Sequence, residues 1–391
     1  MTVLFKNTFY AACYHLRVIT AYLQICVPLV FALVVYGCER GDGGVEISGA
    51  VQGTTYHIKL GAEGRTTDLD ALKKNTGQLF ADIDQKLSNY REDSEISRFN
   101  QQQSLDWVTV SPELTYLIDL AQGVSQKTNG CFDLTIKPIF DLWGFSKAEN
   151  RIPSEAEIKQ ALSHVGMNKV EVDASGSRLR KRDAAVQVDL SSVGQGFTVA
   201  ALAKLLESAG IQNYLVEVGG EMKVKGHKSN GRPWRVAVEK PTPYTREVQR
   251  VLDIHQETGT AIMTAGTYRH FFEENGQVYS HILNPHTGRP VTHQLLSVTM
   301  LHDDPSLADV WDTALLCVGE IDATRIVEEE HLRALLVYRD SDDLREFMST
   351  AFLLNQMDSP PSPEPVKHRN SGDVSLYRTP LLDNSNGEGS E

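Results

Sequence analysis

The irregular order of strand-like and helix-like segments is the feature that most constrains the fold. Alternating apolar residues predict strands at 54–60 and 186–190, and we also predict strands at 214–218, 222–226 and 234–241. A helical repeat of apolar residues predicts helices at 69–87, 112–128, 154–163 and 197–208. A doubly wound parallel sheet requires strands and helices to alternate regularly, and they do not. We therefore predict an α+β fold of mixed sheets with packed helices.

The N-terminus has the pattern of an export signal. Lys6 and Arg17 are the only charges before Glu39, and residues 19–38 form an uncharged, mostly apolar run. The run ends in Val-Tyr-Gly-Cys at 35–38, which resembles a bacterial lipobox, in which the cysteine is lipidated. We predict a lipoprotein signal peptide over 1–37, a linker over 38–48, and an exported protein that is lipid-anchored to a bacterial membrane and faces the periplasm. An uncleaved anchor or an ordinary cleaved signal stays open, since about 20 apolar residues span a bilayer.

Composition limits the partners and the cross-links. A net charge of −13, with no basic run beyond 178–182, argues against nucleic acid as a partner. Only Cys131 and Cys317 lie beyond the lipobox, so one disulfide is possible although the spacing does not require it. Polar residues from 358 onward predict a disordered tail over 358–391, which leaves a folded domain over 49–357. The polar segment 88–100 has few residues that favour packing.

Three oxygen-bearing side chains have the spacing of a metal site. Asp309, Asp312 and Thr313 are three and four residues apart, so a helix places them on one face. Carboxylate and hydroxyl oxygens suit Mg²⁺, which completes its shell with water and substrate phosphate. Pro305 and Ser306 also resemble a helix start, and Ser306 with Asp309 fits a capping box that needs no metal. Both interpretations are open at this level.

A glycine-containing turn precedes the helix predicted at 197–208. The predicted strand 186–190, the turn 191–196 and the helix form a strand–turn–helix unit, whose free amides and helix dipole favour an anion such as phosphate. The turn has neither the Gly-Lys-Ser/Thr of a Walker loop nor the G-x-G-x-x-G of a dinucleotide turn. The alternative is a tight turn that needs glycine for a positive φ.

In these segments the chain resembles the ApbE family, the FAD:protein FMN transferases. The resemblance covers about 49–357, and the lipobox agrees with it. It is carried, in order along the chain, by 87–90 with 93–95, 132–135, 188–196, 218–221, 280–285 and 308–313.

The resemblance implies transfer of the FMN half of FAD to a Thr or Ser hydroxyl of a partner protein, with Mg²⁺ required and AMP leaving. It implies that the partners are flavin-acceptor subunits of sodium-pumping quinone reductase or Rnf-type complexes. The metal ligands it implies are Asp309, Asp312 and Thr313, with a backbone oxygen near Ser192. The FAD-binding residues it implies are Gln52, Tyr90, Cys131, Phe132, Asp133, Asp189, Gln195 and Leu283.

Two positions depart from the family pattern. Many relatives have Met where this chain has Gln52, and many have Lys where it has Gln195. Because Gln195 lacks the point charge of a lysine, FAD binding would depend more on Mg²⁺ and on the glycine turn. Tyr90 suits stacking on a flavin or adenine ring, although a buried tyrosine with a satisfied hydroxyl has the same sequence signature. Glu221, after a Gly-Gly turn, fits a surface charge as well as a site residue, and we do not assign it to the site.

The acceptor hydroxyl needs a base, and His281 is the first candidate because an imidazole titrates near neutral pH. His281 could instead orient the isoalloxazine or cap a loop. His270 and His286 are weaker candidates, and Asp312 becomes one if it does not bind the metal. Two other functions stay open: a metal-dependent FAD pyrophosphatase that gives FMN and AMP, and a lipoprotein that binds FAD without cleaving it.

Overall fold

The computed structural model describes residues 44–146, 149–254 and 258–357. The α-helices in this part of the chain are α1 (Leu69–Leu87), α2 (Glu95–Gln101), α3 (Pro112–Lys127), α4 (Lys137–Leu142), α5 (Glu155–Leu162), α6 (Gly194–Ser208), α7 (Pro305–Val318), α8 (Glu320–Glu329) and α9 (Thr350–Met357). None of the helices in these ranges combines the length and the apolar character needed to cross a membrane.

The strands run in chain order from β1 to β17. They are β1 (Val45–Val51), β2 (Thr54–Leu60), β3 (Val108–Thr109), β4 (Val170–Asp173), β5 (Arg178–Lys181), β6 (Tyr214–Val218), β7 (Glu221–Lys225), β8 (Trp234–Glu239), β9 (Val248–Ile254), β10 (Thr260–Gly266), β11 (Phe271–Glu274), β12 (Gln277–Ser280), β13 (Leu283–Asn284), β14 (Arg289–Pro290), β15 (Leu295–His302), β16 (Arg333–Asp340) and β17 (Asp343–Met348).

An antiparallel sheet of eight strands forms the centre of the fold. Its order is β1-β2-β6-β7-β10-β15-β16-β17. Both faces are covered, so successive apolar residues of one strand enter different cores: Tyr214 and Val216 pack on the side of α6 and α7, whereas Leu215 packs with the β8–β9 ribbon and α9. Helices and an antiparallel sheet around shared cores confirm the predicted α+β class.

A third, smaller apolar cluster packs around Leu283. Ile139, Trp143 and Phe145 pack against Ile158 and Leu283. The Trp143 indole Nε1–H donates to the carbonyl of Gly288 at 2.8 Å, so the cluster fixes the loop that follows β13. The apolar residues of α4 and α5 therefore hold Leu283 in place.

The predicted strand 186–190 is wrong, and so is the view that 88–100 has little reason to pack. The Val188 carbonyl accepts hydrogen bonds from the side-chain amides of Asn89 and Asn100, both at 2.8 Å. The Val188 N–H donates to Asn100 Oδ1 at 2.7 Å, and α2 buries Asn100 together with Phe99. Side-chain amides thus replace a neighbouring strand for this extended segment.

Several predicted boundaries are confirmed and others shift. The helix 69–87 and the strands 54–60 and 214–218 match the structure, whereas the helix predicted from 197 begins at Gly194. Strand β1 begins at Val45, four residues before the predicted domain start at 49, because Val45 to Ser48 pair with β2. The predicted signal peptide 1–37 and the predicted tail 358–391 lie outside the described residues.

Candidate functional site

A cavity of about 300 Å³ brings together most of the predicted site residues. The predicted residues that line it are Cys131, Phe132, Asp133, Asp189, Ser192, Gln195, His281, Leu283, Asp309, Asp312 and Thr313. They come from four separate parts of the chain, which the packing of α6 against α7 and of α7 against β10 and β15 brings to one place.

The start of α6 and the first turns of α7 are in direct contact. The Gly196 N–H donates to Asp309 Oδ2 at 2.7 Å, so Asp309 satisfies an amide at the N-terminus of a helix other than its own. The cap of α7 is Asp304, whose Oδ1 accepts from the Ser306 N–H at 2.9 Å. The capping box of Ser306 and Asp309 is therefore wrong, and Asp309 faces the cavity.

The amides of the glycine turn are used inside the protein. The Gly194 N–H donates to the Leu190 carbonyl at 2.9 Å, and the Gly196 N–H is bound to Asp309. These two amides are therefore not free to bind a phosphate, and phosphate binding by the rest of the turn stays a prediction. The positive end of the α6 dipole faces the Asp309 carboxylate. The residues of the turn that line the cavity are Ser191, Ser192 and Gln195.

Gly196 must be glycine for these helices to touch. A Cβ at this position would lie 2.5 Å from Asp309 Cβ and 2.6 Å from the Pro305 carbonyl oxygen, whereas a Cβ at Gly194 meets nothing within 4 Å. We expect Gly196→Ala to lower the free energy of unfolding by about 2 to 3 kcal/mol, as overpacking does, and to reduce metal affinity. Gly194→Ala is the matched control and should stay within about 1 kcal/mol of the parent. Denaturant unfolding of the two variants measures this difference. Equal losses of unfolding free energy would contradict the close contact of Gly196 with α7.

Three buried carboxylates converge at this contact. Oxygen atoms of Glu221, Asp309 and Asp312 lie within 4.8 Å of one another. Glu221 Oε2 accepts from the Thr264 N–H at 3.0 Å, and Asp312 Oδ1 accepts from the Thr313 hydroxyl at 3.2 Å. Asp312 Oδ2 is buried and has no hydrogen-bond partner among the described atoms.

The pKa values of the three carboxyl groups are all raised. Burial raises the pKa of Asp309 to about 7, although the Gly196 N–H opposes the shift. Burial, followed by the charge of Asp309, raises the pKa of both Asp312 and Glu221 well above the ordinary range. Three acids held this close without a cation repel one another, and a bound divalent cation removes that penalty.

The residues fit a divalent cation on two further grounds. The unpartnered Asp312 Oδ2 offers a free ligand atom, and hard carboxylate oxygens are what Mg²⁺ prefers. Among the described residues that line the cavity, Asp133, Asp189, Glu221, Asp309 and Asp312 are acidic, and Arg269 is the one Lys or Arg. A phosphate-bearing ligand would be repelled by this charge balance unless a cation accompanied it.

The raised pKa values predict how pH and metal affect stability. The folded metal-free protein binds more protons at these groups than the unfolded chain between about pH 4 and 7, so its stability should fall as the pH rises through that window. The titration of Asp309 alone would lower the free energy of unfolding by about 4 kcal/mol at most over this pH range. We expect Mg²⁺ to raise the melting temperature at pH 7.5 by several degrees relative to EDTA and to have little effect at pH 5. An equal Mg²⁺ effect at both pH values would contradict a shared carboxylate site.

His281 lies at the cavity wall with its tautomer fixed. Its Nδ1 is 2.8 Å from the His270 carbonyl oxygen, which can only accept, so Nδ1 carries the proton and Nε2 keeps a free lone pair. Burial of the ring, assisted by His270, lowers the pKa of His281 to about 4. The imidazole is therefore neutral at pH 7 and can take a proton at Nε2.

Comparison with known proteins agrees with this site. The ApbE family model matches residues 52–336. The chain belongs to the ApbE family. It is 35% identical to the FAD:protein FMN transferase of Vibrio cholerae over 329 residues, which cover 83% of this chain and 97% of the relative. It is 36% identical to the FAD:protein FMN transferase of Escherichia coli K12 over 336 residues, which cover 83% and 95%.

Solved ApbE structures share the fold. The flavin transferase ApbE from Vibrio cholerae superposes with a TM-score of 0.72 at 34% identity, covering 80% of this chain and 98% of that one. The apo form of the flavinyl transferase ApbE from Pseudomonas stutzeri gives a TM-score of 0.73 at 30% identity, covering 80% and 96%.

Two residues that the ApbE resemblance assigns to FAD lie apart from the cavity lining in the described structure. Tyr90 is 76% exposed, so the buried-aromatic alternative does not apply to it. Gln52 lies in the turn between β1 and β2, where its Nε2 donates to Asp84 and its Oε1 accepts from the Thr198 hydroxyl. Their role in FAD binding stays a prediction.

Glu221 lies in this cavity with Asp309 and Asp312, although nothing in the sequence assigned it to the site. It follows a Gly-Gly turn, which suggests exposure, yet it begins the central strand β7 and is buried. The signal that could have found it is the turn itself: Gly219 has φ +63°, and a Cβ there would lie 2.2 Å from Gln195 Nε2, so the turn before Glu221 packs against the start of α6. His270 also lines the cavity, whereas His286 bonds the Asn129 carbonyl outside it.

Proposed function

We propose that the chain transfers the FMN half of FAD to a Thr or Ser hydroxyl of a partner protein, with Mg²⁺ required and AMP released. The observation that carries this proposal is the set of three buried carboxylates, at the N-terminus of α6, that share one cavity with the neutral imidazole of His281. Membership of the ApbE family, whose relatives are named FAD:protein FMN transferases, supports it.

Glu221, Asp309 and Asp312, with the hydroxyl of Thr313 nearby, would hold the metal. When bound, Mg²⁺ supplies positive charge to the phosphoryl oxygens, which is the main requirement of phosphoryl transfer. The carboxylates themselves are held by the Thr264 and Gly196 amides and by α7, so their positions are set before substrate arrives.

His281 would act as the base. Its Nε2 takes the proton of the acceptor hydroxyl while that oxygen bonds to the phosphorus of the FMN half. The bond from this phosphorus to the bridging oxygen breaks, and AMP leaves with that oxygen. The lowered pKa of His281 makes the protonated imidazole unstable, which favours passing the proton on to solvent or to the leaving group.

The same site could use water in place of the protein hydroxyl, giving FMN and AMP. Retention of FAD without cleavage is the less favoured function, because a cation beside a pyrophosphate promotes its cleavage. We propose the acceptors to be flavin-carrying subunits of sodium-pumping quinone reductase or Rnf-type complexes. The lipobox and the apolar run 19–38 support an exported, lipid-anchored protein facing the periplasm.

Product analysis separates the three functions. The full-length chain in detergent is incubated with FAD and Mg²⁺, with or without an acceptor domain, and FAD, FMN and AMP are separated by chromatography. Transfer predicts that AMP appears in step with the loss of FAD only when acceptor is present, with little free FMN. Equal amounts of free FMN and AMP without acceptor would favour the pyrophosphatase, and unchanged FAD in both would contradict cleavage.

A further inference from the structure

A disulfide lies in the wall of the flavin cavity. Cys131 and Cys317, 186 residues apart in sequence, are joined with a Cα–Cα distance of 5.9 Å. Both residues are buried, and both line the cavity that holds the carboxylates and His281. The bond settles the pairing that the sequence analysis left open.

One end of the disulfide lies on the helix that carries the metal-site residues. Asp309, Thr313 and Cys317 are spaced i, i+4 and i+8 on α7, so they form a row along one face. The row spans roughly 12 Å along the helix axis from Asp309 to Cys317. The disulfide therefore forms a part of the cavity wall that is separate from the carboxylates.

The other end lies in the irregular segment between α3 and α4, where the Cys131 N–H donates to the Thr128 carbonyl at 3.1 Å. Cys131 leads into Phe132 and Asp133, both of which line the cavity. The Phe132 N–H donates to the Thr128 hydroxyl at 3.4 Å, which is a long hydrogen bond. Further on, the Leu134 carbonyl accepts from the Asp189 N–H at 2.7 Å, so a shift of this segment would reach Asp189 as well.

We propose that the Cys131–Cys317 disulfide is a positioning element of the flavin site, which holds Phe132 and Asp133 against α7 so that FAD binds tightly. This inference rests on the proposed function. Reduction by a dithiol breaks the S–S bond, gives two thiols and oxidises the dithiol to its disulfide. The metal site keeps its geometry, because Asp309 and Asp312 belong to α7 and Asp309 is held by Gly196.

A reductant can reach the disulfide without passing through the flavin cavity. Both cysteines also line a second cavity of about 260 Å³, with Lys127, Asn129 and Asp322 among its walls. The reduced state can therefore be prepared without unfolding the chain, and bound FAD need not block it.

The test compares the oxidised and the dithiothreitol-reduced full-length chain in detergent, with peptide mapping to confirm the state of Cys131 and Cys317. We expect reduction to raise the KM for FAD at least fivefold, to change kcat less than threefold, and to leave the Mg²⁺ midpoint at saturating FAD within twofold. Reoxidation should restore the KM. The double variant C131S/C317S should behave like the reduced chain and should not respond to dithiothreitol.

A stability control separates positioning from general loosening. Phe352→Ala lowers stability in the other core, between the sheet and α9, and should leave the KM for FAD unchanged. If the double variant does not fold, the KM for FAD of the parent chain before and after reduction still tests the role of the disulfide. An unchanged KM after confirmed reduction, or free thiols at 131 and 317 in the purified chain, would overturn the inference. Transfer by the oxidised parent would still support the proposed function in either case.

Discussion

Asp312→Asn should lower the rate of FMN transfer about 100- to 1,000-fold while FAD binding in the absence of metal changes less than threefold. The substitution keeps the shape of the side chain and its place beside Thr313, and it removes one charge from the group that would bind Mg²⁺. The loss falls on the reaction because the metal stabilises charge that grows as the anhydride bond breaks. Steady-state kinetics at several Mg²⁺ concentrations, with FAD binding followed by flavin fluorescence, measures both effects.

The control for charge is Asp82→Asn, which removes an exposed carboxylate from α1 that accepts from Gln78. It should leave transfer unchanged. A raised Mg²⁺ midpoint in the Asp312 variant would place the defect in metal binding. Full turnover at the parent's Mg²⁺ concentration would show that Asp312 is not a ligand and would remove the main support for the metal site.

His281→Gln should lower kcat for transfer by a factor of about 100 to 10,000, the range in which a positioned base contributes. The KM for FAD should change less than threefold, because the imidazole acts on the acceptor hydroxyl. The reason lies in the fixed tautomer: the His270 carbonyl holds the Nδ1–H, so Nε2 is the basic atom, and the pKa of about 4 keeps it unprotonated at neutral pH. Rates of AMP release with saturating acceptor measure the effect.

His270→Gln is the matched control, since it keeps the backbone carbonyl that bonds His281 and changes the neighbouring ring, whose centroid is 5.2 Å away. Its rate should fall less than tenfold. Free imidazole should restore part of the activity of His281→Gly. If His281→Gln and His270→Gln lose equal activity and imidazole does not restore His281→Gly, then His281 orients the ligand or the loop and is not the base.

The helix α7 and its candidate metal ligands could be predicted from sequence because their signal is local. The spacing of Asp309, Asp312 and Thr313 and the proline at 305 depend only on helix geometry, and the structure places all three side chains at the cavity. The strands 54–60 and 214–218 were predictable for the same reason, since 54–60 alternates apolar residues and 214–218 is a short, mostly apolar run.

The features that sequence reasoning missed depend on contacts between distant segments. Asn89 and Asn100 are polar residues that look solvent-exposed, yet they satisfy the backbone near Val188, about 90 to 100 positions away. Glu221 looks like a turn residue until β7 brings it beside α7, and the partner of Cys131 cannot be read from spacing. Periodicity reports which face of an element is apolar, and it does not report which other element that face meets.

The intact mass of the acceptor tests metal-dependent FMN transfer most directly. An acceptor domain with a Thr or Ser target is incubated with the full-length chain, FAD and Mg²⁺, with a parallel sample in EDTA, and both are measured by mass spectrometry. We expect the acceptor to gain the mass of one FMN group only in the presence of Mg²⁺, and we expect replacement of the target residue by Ala to prevent the gain. An adduct that forms equally in EDTA would contradict the assignment of the three carboxylates to a metal, and an acceptor that stays unmodified while FAD is cleaved would contradict transfer to protein.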